Sequence, residues 1–153
     1  MKPPLKTSRF NTPDESPGFL LWRVTNLWQR EIKRALSKHT ITHSQFVVLA
    51  TILWFAEQKE TVTQIKVSSL SNVDPMTTSS LLRTLEKRGF VRRKEHDTDT
   101  RAKTVVLTSR GRMVAQASLK TVEQFDADFF SQLKAGVTDF NKKLTILLKK
   151  DSH

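Results

Sequence analysis

Hydroxyl and guanidinium side chains recur at helical spacing within residues 75–88 of this chain. Helix residues that recur every three to four positions share one face, and here the opposite face is apolar. The outward face carries hydrogen-bonding groups and positive charge but no carboxylate, so its chemistry suits an anionic partner that offers hydrogen-bond acceptors. This outward face carries Met76, Ser80, Arg83 and Lys87, with Thr77 and Thr84 on one flank.

Local signals set the bounds of this helix. Asp74 is a good N-cap, Pro75 suits the first helical position, and Gly89 is a natural C-terminal stop. The sequence therefore predicts a helix over residues 75–88 with one buried face. The residues predicted to form that face are Thr78, Leu81, Leu82 and Leu85.

The pattern changes after Gly89. Residues 90–95 and 103–107 are rich in strand-forming side chains. The segment between them is polar, and its two aspartates favour a turn. A helix followed by a glycine and two short strands is typical of a recognition helix with a β-wing.

Positive charge is concentrated on the same segment. The chain has 26 Lys and Arg against 15 Asp and Glu, a net charge of +11. Residues 83–112 contain ten Lys or Arg and four acids, and so hold +6 of that charge. A basic protein can bind DNA, RNA or an anionic membrane surface, and the concentration on helix and wing favours nucleic acid.

Three short motifs in this order resemble the MarR family of winged helix-turn-helix regulators. They are LEKRGFV at residues 85–91, DTR at 99–101 and VLTSRG at 106–111. Thr100 departs from the family pattern, in which many members have a second arginine, so the wing tip is less basic. The resemblance covers about residues 18–150.

The expected fold is mainly α with a small β-wing: a winged helix-turn-helix domain flanked by N- and C-terminal dimerisation helices. We assign residues 1–17 to a flexible N-terminal arm, 18–40 and 109–153 to the dimerisation helices, and 41–108 to the DNA-binding domain. The arm has four of the five prolines and no periodicity. It could reach a phosphate backbone, lie across a partner subunit, or be an unstructured tail.

Capping residues mark the remaining helices. Thr42 and Gln45 fit a capping box at the start of an apolar helix that runs to about residue 57. Thr61 or Thr63 would cap a short helix with Ile65, Val67 and Leu70 facing inward. Thr108 would cap a long helix that Gly136 breaks, and the apolar stripe of this helix would consist of Val114, Ala117, Val122, Phe125, Phe129 and Leu133. A first helix over 18–38 and a last one over about 138–149 carry more apolar surface than a monomer can hide.

The resemblance implies a homodimeric, DNA-binding transcription regulator, here a repressor, that reads a pseudo-palindromic operator. Thr77, Ser80, Arg83 and Thr84 would meet base edges in the major groove. Arg101 would enter the adjacent minor groove, with Asp99 pairing to it and stiffening the wing tip. The residues expected to contact phosphates and set the register are Lys87, Arg88, Arg92, Arg93 and Lys103.

The resemblance also implies release from DNA by a small aromatic or anionic effector that binds between the dimerisation helices and the winged domain. Aromatic residues could line that site, although aromatics at helical spacing are more often core. The candidates are Trp22, Trp28, Phe46 and Trp54.

Other function classes find less support in the sequence. The chain lacks cysteine, and its four histidines do not follow metal-ligand spacing, so we expect no metal and no cofactor. No nucleophile or phosphate loop accompanies the acidic residues, so we expect no enzyme activity. No apolar run is long enough to cross a bilayer, and we expect a cytoplasmic protein without a membrane partner. Two alternatives stay open: an RNA-binding or ribosome-associated module, and a winged-helix protein-interaction domain that does not bind DNA.

Overall fold

In the computed structural model, residues 7–95 and 103–149 are described, and they form six α-helices and one two-stranded antiparallel sheet. The expected fold, mainly α with a small wing, is confirmed. The elements in chain order are α1 Pro17–Leu36, α2 His43–Glu57, α3 Gln64–Ser71, α4 Pro75–Lys87, β1 Val91–Glu95, β2 Lys103–Leu107, α5 Ser109–Phe130 and α6 Val137–Leu148.

Side-chain caps start the helices where the sequence predicts them. The Thr42 hydroxyl accepts a hydrogen bond from the Gln45 N–H at 3.1 Å, and the Gln45 side chain accepts one from the Thr42 N–H at 3.0 Å, which completes the capping box of α2. Asp74 caps α4 by accepting from the Thr77 N–H at 2.9 Å. Of the two candidate caps for α3, Thr63 is the one used.

Helix α2 is the centre of the core. Its apolar residues extend around the whole helix, as its sequence predicts, and Val48, Leu49 and Ile52 are fully buried. The surrounding elements α1, α3, α4, α5 and β2 each pack against it. The largest buried side chains that these elements contribute are Ile32, Leu36, Val67, Leu82, Leu85 and Val105.

The predicted inward face of α3 is confirmed for Val67 and wrong for Ile65 and Leu70. Val67 is buried, whereas Ile65 is 73% exposed and Leu70 is 53% exposed. Residues 65 and 67 lie about 160° apart around a helix, so a helix of two turns cannot bury both against one surface. Only the face that carries Val67 contacts the core.

The wing strands pair in register from Val91 opposite Leu107 to Glu95 opposite Lys103. A further segment lies on the other side of β2: the Val105 N–H donates to the Val62 carbonyl at 2.9 Å, and Thr63 forms a bridge with Thr104. The sequence does not indicate this segment, which ties the start of α3 to the wing.

The C-terminal helices differ in detail from the expected pattern. Helix α5 ends at Phe130, and a 3-10 segment Ser131–Gly136 precedes α6. The predicted stripe is confirmed for Val122, which is buried, and for Val114 and Phe125, which pack against the core, whereas Ala117 is exposed and Leu133 lies beyond the end of α5. Helix α5 also packs through small side chains that the predicted stripe omits. Its buried residues are Gly111, Ala115, Ser118 and Val122.

Helices α1 and α6 have few partners within the chain. Helix α1 buries only Ile32 and Leu36, at its C-terminal end, and α6 buries none of its residues. Their exposed large apolar side chains are Phe19, Leu20, Leu21, Trp22, Val24 and Leu27 on α1, and Ile146, Leu147 and Leu148 on α6. Within the described ranges no helix has the length and hydrophobicity needed to cross a membrane.

Glycine 111 allows α5 to start against the end of α4. A Cβ at this position would lie 1.8 Å from the Phe90 carbonyl oxygen and 2.7 Å from the Phe90 carbonyl carbon. Thr108 holds the same junction, since its hydroxyl donates to the Gly89 carbonyl at 2.6 Å and accepts from the Gly111 N–H at 2.9 Å. Gly89, with φ of 76°, ends the recognition helix as predicted.

We therefore expect Gly111→Ala to lower the free energy of unfolding by about 3 kcal/mol, since backbone atoms would have to move. Gly136→Ala is the control, because its Cβ would find its nearest neighbour, Leu133 Cβ, at 3.9 Å. Urea unfolding followed by circular dichroism measures both, and the control should change stability by no more than about 1 kcal/mol. Equal midpoints for Gly111→Ala and wild type would contradict the packing argument.

Candidate nucleic-acid interface

Helix α4 has the two faces that its sequence predicts. Thr78, Leu82 and Leu85 are buried against the core. All four candidate base-contacting residues lie exposed on the other side, together with Met76 and Lys87. One hydroxyl of this face is engaged locally, since Thr84 donates to the Ser80 carbonyl at 3.2 Å. The exposed residues in order are Met76, Thr77, Ser80, Arg83, Thr84 and Lys87.

The turn between α3 and α4 is held by side-chain hydrogen bonds. Asn72 adopts a left-handed conformation with φ of 55° that ends α3. Ser68 and Thr78 both donate to the Val73 carbonyl, at 2.6 and 3.2 Å, so one hydroxyl from each helix binds the same turn residue. These contacts fix the orientation of α4 relative to α3, which is the geometry of a helix-turn-helix.

Glu86 connects the recognition helix to the wing. One carboxylate oxygen accepts a hydrogen bond from the Arg93 backbone N–H at 2.8 Å, and the other accepts from the Arg93 guanidinium at 3.2 Å. The backbone bond from Arg93 is the largest cause that lowers the pKa of Glu86, followed among the lowering causes by the guanidinium bond. Arg93 also donates to the Gln64 side chain at 3.3 Å and thereby reaches α3.

The side chain of Arg93 is therefore not free in solvent, as the side chain of a phosphate-contacting residue would be. Its side chain is 13% exposed and faces Glu86 and Gln64. Arg92, the next residue on the strand, is exposed on the opposite face of the wing, because successive strand residues alternate. Contact of either arginine with a phosphate stays a prediction, but the geometry favours Arg92 for that contact and Arg93 for positioning the wing.

Arg88 also has partners inside the protein. Its guanidinium donates to the side chains of Gln45 and Thr40, both at 3.3 Å, and lies 4.8 Å from the centroid of the Phe90 ring. Arg110 lies 5.3 Å from the same ring. The two guanidiniums add cation–π contacts to a buried aromatic residue, and they place positive charge near the start of α2.

The remaining basic candidates are open to solvent. Lys87 on α4 and Lys103 on β2 are exposed, as is Lys94 on β1. Asp99 and Arg101, the candidates at the wing tip, lie outside the described residues. The described wing therefore has exposed cations on both faces, with Arg92 and Lys94 on one and Lys103 on the other.

The four candidate pocket aromatics do not meet in one cavity. Phe46 and Trp54 line a groove of about 450 Å³ between α2, α3 and α5. Trp22 lines a separate hollow on α1. Trp28 lies where α1 meets α5 and donates its indole N–H to Asp126 at 2.8 Å. Phe46 is itself nearly buried, so it belongs to the core as well as to the groove.

Acidic residues that the sequence analysis did not single out border this groove. They are Glu57 on α2 and Glu123 and Asp126 on α5, and its lining includes no Lys, Arg or His among the described residues. On a chain of net charge +11, the groove is thus a locally acidic site. The i, i+3 spacing of the two α5 acids places them on one helix face, and this was the sequence signal for an acidic site. Only the tertiary structure brings Glu57 beside them.

Two histidines lie near the same helix junction. His43 packs against Trp28 with ring centroids 4.9 Å apart, and burial lowers its pKa, with the Asp126 charge acting in the opposite direction. His39 shares a hydrogen bond of 2.7 Å with the Thr121 hydroxyl, and its pKa is lowered chiefly by burial. Among the residues that the structure describes, no group of three or more acidic or histidine side chains could hold a metal ion.

This chain is similar in sequence and fold to several known proteins. Residues 37–124 match the family model of the ArnR1-like winged-helix domain. The chain is 42% identical over 124 residues to the uncharacterized HTH-type transcriptional regulator YdcH of Bacillus subtilis, covering 81% of this chain and 84% of that protein. It is 30% identical over 123 residues to the HTH-type transcriptional repressor Rv2887 of Mycobacterium tuberculosis, covering 80% and 86%. A transcriptional regulator of the MarR family from Rhodococcus sp. RHA1 superimposes with a TM-score of 0.76 at 26% identity, over 92% of this chain and 96% of that one.

The adjacent arginines of β1 provide a matched pair of variants. Arg92→Ala should weaken binding to duplex DNA and make the salt dependence shallower by about one phosphate per subunit, with the melting temperature unchanged. Arg93→Ala should lower the free energy of unfolding by about 1–2 kcal/mol, because Glu86 and Gln64 lose the guanidinium, although the backbone N–H of residue 93 still donates to Glu86. Thermal unfolding and mobility-shift titrations at several salt concentrations separate the two effects. If Arg92→Ala lowers the stability and Arg93→Ala does not, the roles assigned to the two arginines are reversed.

Proposed function

This chain belongs to the MarR family of winged helix-turn-helix, DNA-binding transcriptional regulators, and we propose that it acts as a homodimeric repressor whose operator binding is released by a small ligand. The observation that carries the proposal is the exposed hydroxyl and basic face of α4, held to the wing through Glu86 and Arg93. Such a face enters the major groove with its side chains already positioned, so less conformational entropy is lost on binding.

Within this surface the residues divide by chemistry. Arg83 can donate two hydrogen bonds to a guanine edge, and the hydroxyls of Thr77 and Ser80 can bind either a base or a phosphate. Lys87, Arg92 and Lys103 are the cations we propose for phosphate contacts. The proposed minor-groove contact of Arg101, supported by Asp99, completes the surface at the wing tip.

Dimerisation is supported by the unpartnered apolar surface of the terminal helices. Helix α6 buries no residue of its own chain, and the N-terminal half of α1 exposes a tryptophan, a phenylalanine and several leucines. Large obligate interfaces are hydrophobic and bury about 2,000 Å² or more. A two-fold dimer built through these helices presents two α4 helices to half-sites about 10 base pairs apart, and hence reads a pseudo-palindrome.

Repression is proposed by analogy with the relative named a repressor, which is 30% identical to this chain. A bound repressor needs a means of release, and the groove between α2, α3 and α5 is our proposed effector site. Its aromatic walls suit an aromatic ligand, and its three carboxylates favour a cationic or neutral ligand over an anionic one.

Asp126 could couple this site to the dimer. Its carboxylate both borders the groove and accepts the Trp28 indole N–H from α1. A ligand cation that competes for this carboxylate would weaken the contact between α1 and α5. The ligand would thereby favour a spacing of the recognition helices that does not match the operator, which is a population shift between two states.

Binding to duplex DNA tests the function directly. The protein should bind the DNA upstream of its own gene more tightly than single-stranded RNA, with log K falling against log[salt] by about 0.9 per phosphate neutralised. Adding an aromatic cation should release the complex at lower concentration than its anionic analogue does. Tighter binding to single-stranded RNA, or a salt slope near zero on every duplex, would favour the RNA-binding or protein-interaction alternatives.

A charge placed on the apolar face of α6 tests the dimer. Leu147→Glu should shift the protein from dimer to monomer in sedimentation and weaken operator binding at least tenfold, since two half-sites are no longer held together. Thr145→Glu adds the same charge about 160° away on the same helix and should leave both properties near wild type. A wild-type protein that sediments as a monomer at micromolar concentration would remove the dimer, the palindrome and the ligand-gated spacing together.

A further inference from the structure

Met76 is the most exposed large apolar side chain in the described ranges, at 84% of its surface. It is the second residue of α4, directly after Pro75. Other exposed apolar residues occur mostly on α1 and α6, where a dimer interface would cover them. Met76 instead lies at the N-terminal end of the helix that we propose for the major groove.

The helical geometry aligns Met76 with the polar face rather than with the core. Ser80, Arg83 and Lys87 lie within about 40° of Met76 around the helix axis, whereas the fully buried Leu82 lies about 120° away. Met76 therefore heads the same stripe as Ser80 and Arg83, two of the four proposed base-contacting residues. Its thioether and methylene groups have little hydrogen-bonding capacity, so it is the apolar member of a stripe of hydrogen-bonding side chains.

The start of α4 is unsuited to a phosphate. The Asp74 carboxylate occupies the N-cap and accepts the Thr77 N–H at 2.9 Å, which removes one of the donors that a helix terminus would offer to an anion. Hydrogen bonds from Thr77 also lower the pKa of Asp74, so this carboxylate is charged at neutral pH and repels phosphate. The first turn of α4 is thus better matched to base edges than to the DNA backbone.

An apolar side chain has one specific partner among base edges. In the major groove every base presents hydrogen-bonding groups, and thymine alone among the four adds a methyl group, at C5. We infer that Met76 packs against the 5-methyl group of a thymine and makes each subunit selective for thymine at that position, an inference that rests on the proposed function. Arg83 lies seven residues further along α4, about 10 Å by helix rise, so it would meet a different base pair from Met76.

The test replaces thymine by deoxyuridine, which pairs identically but lacks the methyl group. Wild-type protein first selects its preferred duplex from a randomised pool, and each thymine of that duplex is then replaced in turn. We expect one symmetry-related thymine position per half-site at which removal of the methyl group weakens binding about fourfold, the value of one buried methyl group. Wild-type protein serves for this step, so no variant has to fold.

Substitutions then assign the contact. Met76→Ala should weaken binding to the thymine duplex by about the same factor or more, and should bind the thymine and deoxyuridine duplexes equally. Met113→Ala is the matched control, because Met113 is a second strongly exposed methionine on α5, outside the recognition helix. It should retain the preference for thymine.

Each outcome decides the inference. If the protein binds duplex DNA but no thymine position responds to deoxyuridine, or if Met76→Ala keeps the full preference, the inference is wrong while the proposed function stands. If Met76→Ala changes the sedimentation coefficient, Met76 belongs to a protein interface and the inference is again wrong. If the wild type selects no duplex at all, the proposed function fails together with the inference.

Discussion

The surface that we propose reads DNA depends on the carboxylate of Glu86. It accepts the backbone N–H of Arg93 at 2.8 Å as well as the guanidinium, so it fixes the main chain of the wing strand and not only a side chain. Arg93 extends the contact to Gln64, at the start of α3. Both helices of the helix-turn-helix and the wing are therefore joined through one arginine. A surface held in this way can present its exposed residues to a rigid duplex without first having to be ordered.

The apolar surface divides the molecule into two parts with different requirements. Although Trp54 on the groove side is 49% exposed, the core of the winged part is complete, because helices and β2 pack around α2. The terminal helices are not, since α6 buries none of its residues within the chain and α1 buries only its C-terminal end. The recognition surface is therefore stabilised by contacts within one subunit. The relative position of two such surfaces, which sets operator spacing in the proposed dimer, would depend on the helices that lack an internal partner.

The junction of α1, α2 and α5 connects these two parts. Trp28 of α1 donates to Asp126 of α5 and packs edge-on against His43 of α2. Asp126 also borders the acidic groove, so one side chain faces both the proposed effector site and the contact between the terminal and winged parts. In the proposed mechanism, a ligand in the groove would act on helix packing without any contact with the proposed DNA-binding surface.

Features that depend only on residues close in the sequence could be predicted from the sequence alone. Asp74 and Thr108 could be identified as caps, Gly89 as the end of α4, and the two faces of α4 from their periodicity, because caps and helix faces are set within a few residues. The motif that ends in Gly111 indicated the family, although the reason for that glycine, the Phe90 carbonyl against it, is visible only in the packed structure.

Contacts between residues distant in the sequence became visible only in the folded structure. Arg92 and Arg93 are chemically identical, and only the packing of the wing on α4 makes one exposed and the other a partner of Glu86. The pairing of Val62 with β2 and the meeting of three carboxylates in one groove likewise join segments more than 40 residues apart. Short-range patterns cannot encode such contacts, since they arise only when the hydrophobic core brings separate elements together.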